Sequence, residues 1–511
     1  MLKVVQRMFQ NTTVKMGLIF ASRMVSALLG IILLPIYIRY LGSESYGLVA
    51  FYATLAGTLT VLVNGLGSAT AREISILHAT GAGGRKMTSL LFSSEILHWL
   101  IALVFGVLIL AFSNLISVHW LNARNISPST LKYSIMLMGI LFTLQVPASV
   151  YEGSLNGVHR QGESAVINLL FAIVKSVGVI FILKFIKADI ITYFLWQVII
   201  ASLLTLSLRI FAYRYINASK VKKFFSIGIL KTVNKFAMGV TGIAIVTFFI
   251  NQIDKVIVSK FLSLEVVGYY NIAFLLASVL TMLITPIQTI VFPKFNALEA
   301  RHKSGDLRRL YYKTSKWVTI LVLPVGCILI AFSNDLLWLW TKNVKLVEET
   351  SPILKIVAGG TIINSICSIY YFYTLAKGNT RFGFYQNLFS VFLILPLAVI
   401  LTKNYGAIGA SFCWLIYNSL LLLISLPLFH YFYLKNQVFF WVKETLIYPA
   451  SLCFLLFFGS KFLLNIYYPH LGILKLAALI FMLVCLYFLT ISETRNLIFK
   501  HLKKNIKYSE R

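Results

Sequence analysis

Three ionisable residues lie inside long apolar stretches in the first half of the chain. Arg23 occurs in "FASRMVSALL", Glu95 in "FSSEILHWL" and Lys175 in "FAIVKSVGV". A charge within a membrane-spanning helix is costly, so it usually faces a partner or a water-filled cavity. These residues are therefore candidates for binding and transport chemistry, and two of the three are cations.

Their surroundings leave more than one role open. Arg23 and Glu95 both lie about eight residues, or roughly 12 Å, into their spans, so they could form a structural ion pair or line a cavity separately. His98 follows Glu95 by one helical turn and could share a proton with it or serve as a hydrogen-bonded packing residue. Lys175 has no acidic residue at its own depth, which favours a cavity cation over a side chain that snorkels to the interface. Asp254 lies near the outer end of a later span.

The composition indicates a membrane protein with many spans. Of the 511 residues, 59% are hydrophobic and 12% charged, whereas soluble domains contain about 25% charged residues. Counting apolar runs of about 20 residues predicts an all-α polytopic fold of about fourteen transmembrane helices, with twelve as the fallback. The basic N-terminus runs directly into the first apolar segment, so we expect no removable signal peptide. The predicted spans are centred near Ala27, Gly57, Leu100, Leu141, Val174, Ile200, Ala244, Leu276, Leu323, Ile362, Val391, Leu415, Leu455 and Phe481.

The basic residues follow the predicted membrane topology. A formal net charge of +30 would suggest a nucleic-acid partner in a soluble chain. With the N-terminus inside, however, the inner segments carry 31 of the 46 Lys and Arg residues and the outer segments 13, as the positive-inside rule expects. We therefore expect both termini in the cytoplasm, membrane lipids as partners of the basic loops, and no nucleic acid.

The chain contains an internal repeat with a constant offset. The turns "RYLGSESYG" and "KFLSLEVVG" align without gaps, and a second pair of loops, "NGVHRQGES" and "KGNTRFGFY", keeps the same register of 221 residues, because 381 − 160 = 221. We expect these residues to build turns rather than to contact a substrate. The matched residues are Arg39 with Lys260, Glu44 with Glu265, Gly47 with Gly268, and Arg160 with Arg381.

Two loops in one register predict two six-helix lobes of the same orientation, which would enclose a central cavity. Two further spans follow. The predicted boundaries are 1–208 for the first lobe, 209–235 for a cytoplasmic linker, 236–434 for the second lobe, and 435–511 for the last two spans with a basic tail.

No motif of an enzyme or an ATP-driven pump is found. The sequence lacks a Walker A loop, a paired metal-ligand motif and a nucleophile elbow. The predicted outer loops are too short for a large external catalytic region, which argues against a membrane polymerase or ligase. We expect a protein that is not an enzyme and that carries no cofactor or metal.

Two parallel six-helix lobes followed by two spans resemble the multidrug/oligosaccharidyl-lipid/polysaccharide exporter (MOP) superfamily. The stretch "SRMVSALLGIILLPIYIRYLGSESYGLVAFY" resembles the opening of the Wzx-type polysaccharide flippases. Similarly, "NQIDKVIVSKFLSLEVVGYYNIAFLL" is similar to their seventh span and the turn after it, and "YGAIGASFCWLIYN" resembles the start of one of their late helices. The proline usual early in span 7 is absent, and Ala237 or a neighbour stands in its place.

The resemblance implies transfer of an undecaprenyl-diphosphate-linked oligosaccharide across the bacterial cytoplasmic (inner) membrane, for O-antigen or capsule assembly. Arg23 and Lys175 would hold the anionic headgroup in a central cavity, with Asn64 and Arg72 as further cavity candidates. Polysaccharide polymerase and chain-length proteins are the implied partners. Coupling to H⁺ or Na⁺ would fall to one of three residues, Glu95, His98 and Asp254.

The alternative is a cation-coupled multidrug exporter of the same fold. Its cationic substrates would favour acidic residues in the first lobe. Among the three charges inside the spans of that lobe, two are basic and one is acidic, which favours the flippase.

Overall fold

The structure is a computed structural model that describes residues 12–80, 83–216, 224–226, 228, 249, 252–434, 437–462 and 473–490. Within these residues helices dominate and no β-sheet forms, although an isolated β-bridge joins Asn122 and Ser263. Lipid offers no hydrogen-bond partners, so an apolar run must satisfy its backbone internally, as a helix does. The predicted all-α polytopic fold is confirmed.

The first half consists of six long helices, and each contains one of the predicted span centres. Side-chain caps begin two of them: Ser127 Oγ accepts the Thr130 N–H at 3.2 Å, and Asp189 Oδ1 accepts the Thr192 N–H at 2.7 Å, which satisfies backbone donors of the first turn. A π turn extends the third helix to Trp120. The helices are α1 (Thr12–Leu41), α2 (Ser43–Ala79), α3 (Gly83–Leu115), α4 (Pro128–Gly157), α5 (Gln161–Phe185) and α6 (Ile190–Tyr215).

The second half contains longer and more interrupted helices. The predicted centre of the seventh span, Ala244, lies outside the described residues. A nine-residue helix between two spans is only about 14 Å long and cannot cross a bilayer. The helices are α7 (252–261), α8 (Leu264–Ala300), α9 (Ser304–Ala331), α10 (Ser333–Thr341), α11 (Val344–Ala376), α12 (Thr380–Leu420, continuing to Tyr433), α13 (Val438–Phe462) and α14 (Ile473–Thr490).

Gly406 divides α12 into two spans. From Arg381 to Tyr433 the helical stretch has 53 residues, which would measure about 80 Å if straight, against roughly 30 Å of hydrocarbon. At Gly406 the backbone leaves the helical region, with φ 61° and ψ −143°, a conformation that suits glycine. The described chain has ten helices long and apolar enough to span a membrane. The second span of α12 makes eleven, and the long helix α2 together with α7 and α14, the described parts of the seventh and fourteenth predicted spans, fits the predicted total of about fourteen.

The internal repeat is visible in the positions where helices begin. Helices α2 and α8 begin at Ser43 and Leu264, so this pair keeps the predicted offset, because 264 − 43 = 221. The break at Gly406 also matches the end of α5 one repeat earlier. The two copies therefore share the same succession of helices and turns.

The chain divides into two compact units, Met1–Asn271 with Val391–Ala407, and Ile272–Ser390 with Ile408–Arg511. In the first unit α4 is the central helix and packs against α2, α3 and α6. In the second, α9 packs against α11 and α13. Residues 209–215 of the predicted linker form the last turns of α6, and most of its remainder lies outside the described residues.

The two copies of the repeat turn pack against each other within the first unit. Gly47 lies so close to the backbone of Leu264 that a Cβ there would overlap the Leu264 carbonyl, and a Cβ on Gly268 would meet Gly47 at 3.2 Å. Ser43 Oγ donates to Glu265 Oε1 at 2.8 Å. The two repeat glycines thus allow a close backbone contact between equivalent turns.

Replacing Gly47 with alanine should destabilise the protein. The added methyl group overlaps backbone, which cannot rotate away, and such overpacking typically costs about 1–3 kcal/mol. We expect a lower thermal unfolding midpoint for the purified protein in detergent.

Gly30→Ala is the matched control, because Gly30 also lies within a helix and nothing lies within 4 Å of a Cβ there. An unchanged midpoint for Gly47→Ala would contradict the close contact between the turns.

Candidate functional site

Lys175 lines a cavity of mixed polar and apolar character in the first unit. The cavity has a volume of about 250 Å³ and lies among α1, α4, α5 and α6. That is somewhat below the range of about 300–1,000 Å³ usual for small-molecule sites. Its polar lining consists of Ser26, Gln145, Asn168, Lys175, Gln197 and Thr205.

Hydrogen bonds to the backbone of α5 on both sides hold Lys175 in position. The indole Nε1 of Trp196 on α6 donates to the Lys175 carbonyl at 3.1 Å, and the Tyr37 hydroxyl on α1 donates to the Ser176 carbonyl at 2.7 Å. No carboxylate in the described part of the chain forms an ion pair with the Lys175 ammonium group. A partly buried cation among neutral amides and hydroxyls is suited to attract an anion.

Glu95 has a very different environment from Lys175. Its carboxylate is buried and accepts a hydrogen bond from Tyr151 at 2.8 Å, another from Arg209 Nε at 2.7 Å, and a third from the Tyr213 hydroxyl. The ion-pair partner of Glu95 is thus Arg209 on α6. The Arg23 side chain lies outside the described residues, so an ion pair between Arg23 and Glu95 stays a prediction.

His98 and Asp254 are both buried but differ in their partners. His98 Nδ1 lies 2.8 Å from the Ser94 carbonyl of its own helix, so Nδ1 carries the proton, while Nε2 is buried with no hydrogen-bond partner among the described residues. Asp254 Oδ2 accepts the Tyr270 hydroxyl at 2.7 Å, and its Oδ1 is buried without a described partner. Asp254 is therefore a carboxylate with remaining capacity to bind a cation or a proton.

Of the remaining cavity candidates, only Arg72 has a described side chain. Arg72 is exposed and pairs with its neighbour Glu73 at 2.5 Å. The side chain of Asn64 lies outside the described residues. Arg72 is not among the residues that line the Lys175 cavity, and the assignment of Asn64 stays a prediction.

Several repeat-turn residues make contacts between segments of the first unit. Glu44 is buried and accepts the backbone N–H groups of Arg124 and Asn125, while Glu265 accepts the Ser43 and Tyr269 hydroxyls. Lys260 donates to the carbonyl of His119.

The basic residues of the repeat have different contacts in the two copies. Arg160 pairs with Glu163 at 2.7 Å and lies over the Tyr215 ring. Arg39 and Arg381 are exposed. The repeat thus preserves turns more closely than it preserves charge contacts.

Sequence reasoning missed two polar contacts near the cavity. Arg209 was assigned to the linker, although Arg209 and Tyr213 are spaced i, i+4 and so share one face of a helix. Glu152 on α4 accepts a hydrogen bond from Asn168 Nδ2 at 2.8 Å, which orients a cavity amide. The described residues contain no cluster of three or more His, Cys, Asp or Glu side chains that could hold a metal.

The Glu95–Arg209 pair should be energetically coupled. Arg209→Ala should lower the thermal unfolding midpoint, because it removes a partner of a buried carboxylate. The Glu95→Gln/Arg209→Ala double variant should lower it less than the sum of the two single changes, with a coupling of about 1 kcal/mol, since Arg209 is partly exposed.

Arg214→Ala is the control, since Arg214 is an exposed arginine on the same helix. Strictly additive effects of Glu95→Gln and Arg209→Ala would contradict the pairing.

Two family models and one curated relative match this chain. The model of the family described as "Polysaccharide biosynthesis protein" matches residues 13–299, and the MatE family model matches residues 240–400. A curated relative, the lipopolysaccharide biosynthesis protein WzxC of Escherichia coli K12, is 25% identical over 197 residues, which is 37% of this chain and 38% of that relative.

The fold is also that of known transporters. The structure of the lipid II flippase MurJ in an inward closed conformation aligns with a TM-score of 0.72 at 16% identity, covering 95% of this chain and all of that one. An inward-facing multidrug resistance MATE transporter of the MOP superfamily aligns with a TM-score of 0.66 at 13% identity, covering 82% and 96%.

The polysaccharide biosynthesis model spans 287 of the 511 residues, because 299 − 13 + 1 = 287. The chain is therefore a multi-pass membrane protein that belongs to the polysaccharide biosynthesis protein family.

Proposed function

We propose that this protein flips an undecaprenyl-diphosphate-linked oligosaccharide from the inner to the outer leaflet of the bacterial cytoplasmic membrane, for assembly of a surface polysaccharide such as O-antigen or capsule. Both termini would lie in the cytoplasm. Family membership and the match to WzxC support the substrate class. The fold shared with a lipid II flippase supports the kind of movement.

The observation that carries the proposal is the environment of Lys175. A diphosphate is anionic, and Lys175 offers a cation without a carboxylate partner among the described residues, beside amide and hydroxyl groups that can donate hydrogen bonds. The cavity of about 250 Å³ suits a headgroup rather than an oligosaccharide. In this conformation, therefore, the cavity would receive the diphosphate, and the sugars would need further space that opens during alternating access.

Lys175→Ala should abolish most of the transport. In a strain that lacks the chromosomal gene, we expect this variant to restore about tenfold less surface polysaccharide than the wild type, because a hydrogen bond to a charged group contributes about 1.5–3 kcal/mol. Lys175→Arg should retain substantial activity, since it keeps the charge. Surface polysaccharide would be measured by gel or antibody staining at matched protein levels.

Lys184→Ala is the control: Lys184 is an exposed lysine on the same helix, lying over Phe185. Normal polysaccharide with Lys175→Ala would refute the role of this cation.

The competing function is cation-coupled multidrug export, which the MatE match to residues 240–400 favours. A cationic drug would be repelled by Lys175. Drug susceptibility of the same deletion strain separates the two functions, because a multidrug exporter predicts sensitisation to cationic compounds with surface polysaccharide intact.

We further propose Asp254 as the group that binds a coupling ion, H⁺ or Na⁺. Both oxygens of Glu95 already accept hydrogen bonds, one of them from a cation. His98 Nδ1 is committed to its own helix, and its Nε2, which also has no described partner, could take up a proton but is a poorer ligand for Na⁺ than a carboxylate oxygen. Asp254 Oδ1, in contrast, is buried and has no described partner.

If Asp254 binds sodium, NaCl should raise the thermal unfolding midpoint of the wild type relative to choline chloride, because a ligand that binds only the folded state stabilises it. This difference should vanish in Asp254→Asn and persist in Asp306→Asn, which changes an exposed carboxylate in the first turn of α9. If the ion is a proton, the pH dependence of transport should change in Asp254→Asn alone. Unchanged sodium and pH responses in Asp254→Asn would remove Asp254 from the coupling step.

A further inference from the structure

A groove in the second unit combines basic and aromatic side chains at one end of two helices. It lies between residues 309–320 of α9 and residues 440–445 at the start of α13, and has a volume of about 500 Å³. We call it the α9–α13 groove. The lining residues used below are Arg309, Lys313, Lys316, Trp317, Phe440 and Glu444.

The basic residues form one face of α9. Arg309, Lys313 and Lys316 are spaced i, i+4 and i+7, so they fall on one side of the helix. Arg309 and Lys313 are exposed, and Lys316 is partly buried. The nearest carboxylate on the rim is Glu444, whose Oε2 lies 3.9 Å from Lys316 Nζ, so the rim carries a formal net charge of about +2.

The floor of the groove is apolar and partly open. Trp317 and Phe440 line it, and Phe440 remains 59% exposed in the protein. Phe440 and Glu444 are spaced i, i+4 across the start of the π turn Val442–Ile447, and π turns inside helices often occur at functional sites. An exposed aromatic ring beside cations suits an amphiphilic ligand with a charged head and an apolar body.

The position along the helices places this groove at a membrane interface. The segment that leads into α9 and its first turns carry a cluster of Lys and Arg residues, which predicts the cytoplasmic side. Lys316 lies twelve residues after Ser304, or about 18 Å along α9, and Trp and aromatic residues such as those of the groove are enriched at headgroup level. Basic pockets between transmembrane helices on this side are suited to anionic lipid headgroups.

We propose that the α9–α13 groove binds an anionic phospholipid of the cytoplasmic leaflet, with the phosphate diester between Arg309 and Lys313 and the first acyl methylenes over Trp317 and Phe440. A diester carries a single negative charge, which the two exposed cations can bind from both sides. We favour the phospholipid because the cytoplasmic leaflet surrounds a basic pocket on that side with anionic phospholipid headgroups. The site is independent of the translocated substrate and of the role of Lys175.

The test is a titration of the full-length protein in detergent with phosphatidylglycerol or phosphatidylcholine, followed by native mass spectrometry. The wild type should bind phosphatidylglycerol at least about tenfold more tightly than phosphatidylcholine, since each basic side chain near anionic lipid contributes roughly fivefold. Arg309→Gln/Lys313→Gln should abolish this preference. Glu444→Gln should strengthen phosphatidylglycerol binding, because it removes a repelling charge.

Arg301→Gln/Lys303→Gln is the matched control, since it removes two exposed charges of the same basic segment that do not line the groove. The proposal fails if this control loses the preference equally, which would indicate general charge attraction, or if the wild type has no preference.

Two competitors test the identity of the occupant. Displacement of phosphatidylglycerol by millimolar inorganic phosphate would indicate a site for the free anion, and displacement by a lower concentration of undecaprenyl diphosphate would assign the groove to the carrier lipid. Either result overturns the phospholipid proposal, whereas resistance to both supports it.

Discussion

The cost of placing a charge in a low-dielectric membrane governs the polar interior of this protein. The charge of Glu95 is stabilised by hydrogen bonds from an arginine and two tyrosines, which together occupy both carboxylate oxygens. Lys175 has no such arrangement among the described residues: it lines a cavity whose other polar groups are neutral and whose remaining lining is apolar. Because an isolated cation at this depth is expensive, we propose that a ligand supplies the opposite charge. The contrast between these two residues separates a charge used for architecture from one available for binding.

The repeated helices provide the frame for that interior. Equivalent turns pack closely at Gly47 and Gly268, and a network of backbone and carboxylate contacts surrounds them. Within the first unit, α4 packs between α2, α3 and α6, and α5 is tied to α1 and α6 by hydrogen bonds to its backbone carbonyls. These contacts fix the rotation of α5 about its axis, which places Lys175 at the cavity.

The sequence was sufficient to predict most of the architecture. Apolar runs located the helices, and the 221-residue register located equivalent turns, because both depend on local composition and spacing. The partner of Glu95 was not predictable in this way. The sequence gives the depth of a residue along its helix. Whether two residues form an ion pair also depends on how each helix is rotated about its axis and on which helices are neighbours. Arg209 was misassigned to a linker because an apolar-run count ends at a charge, although the helix continues to Tyr215.

Lys175 could be singled out from the sequence because no acidic residue shares its depth, but the amides and hydroxyls around it come from helices far apart in the chain. The chemistry of the site therefore depends on tertiary packing that no single stretch encodes.

The most direct measurement is translocation of a fluorescent undecaprenyl-diphosphate-linked oligosaccharide in proteoliposomes containing the purified protein. The account predicts that the wild type and Lys175→Arg move this lipid to the opposite leaflet, and that Lys175→Gln, folded and reconstituted to the same level, does so at least about tenfold more slowly. Equal rates for Lys175→Gln and the wild type would contradict the claim that this cation binds the diphosphate.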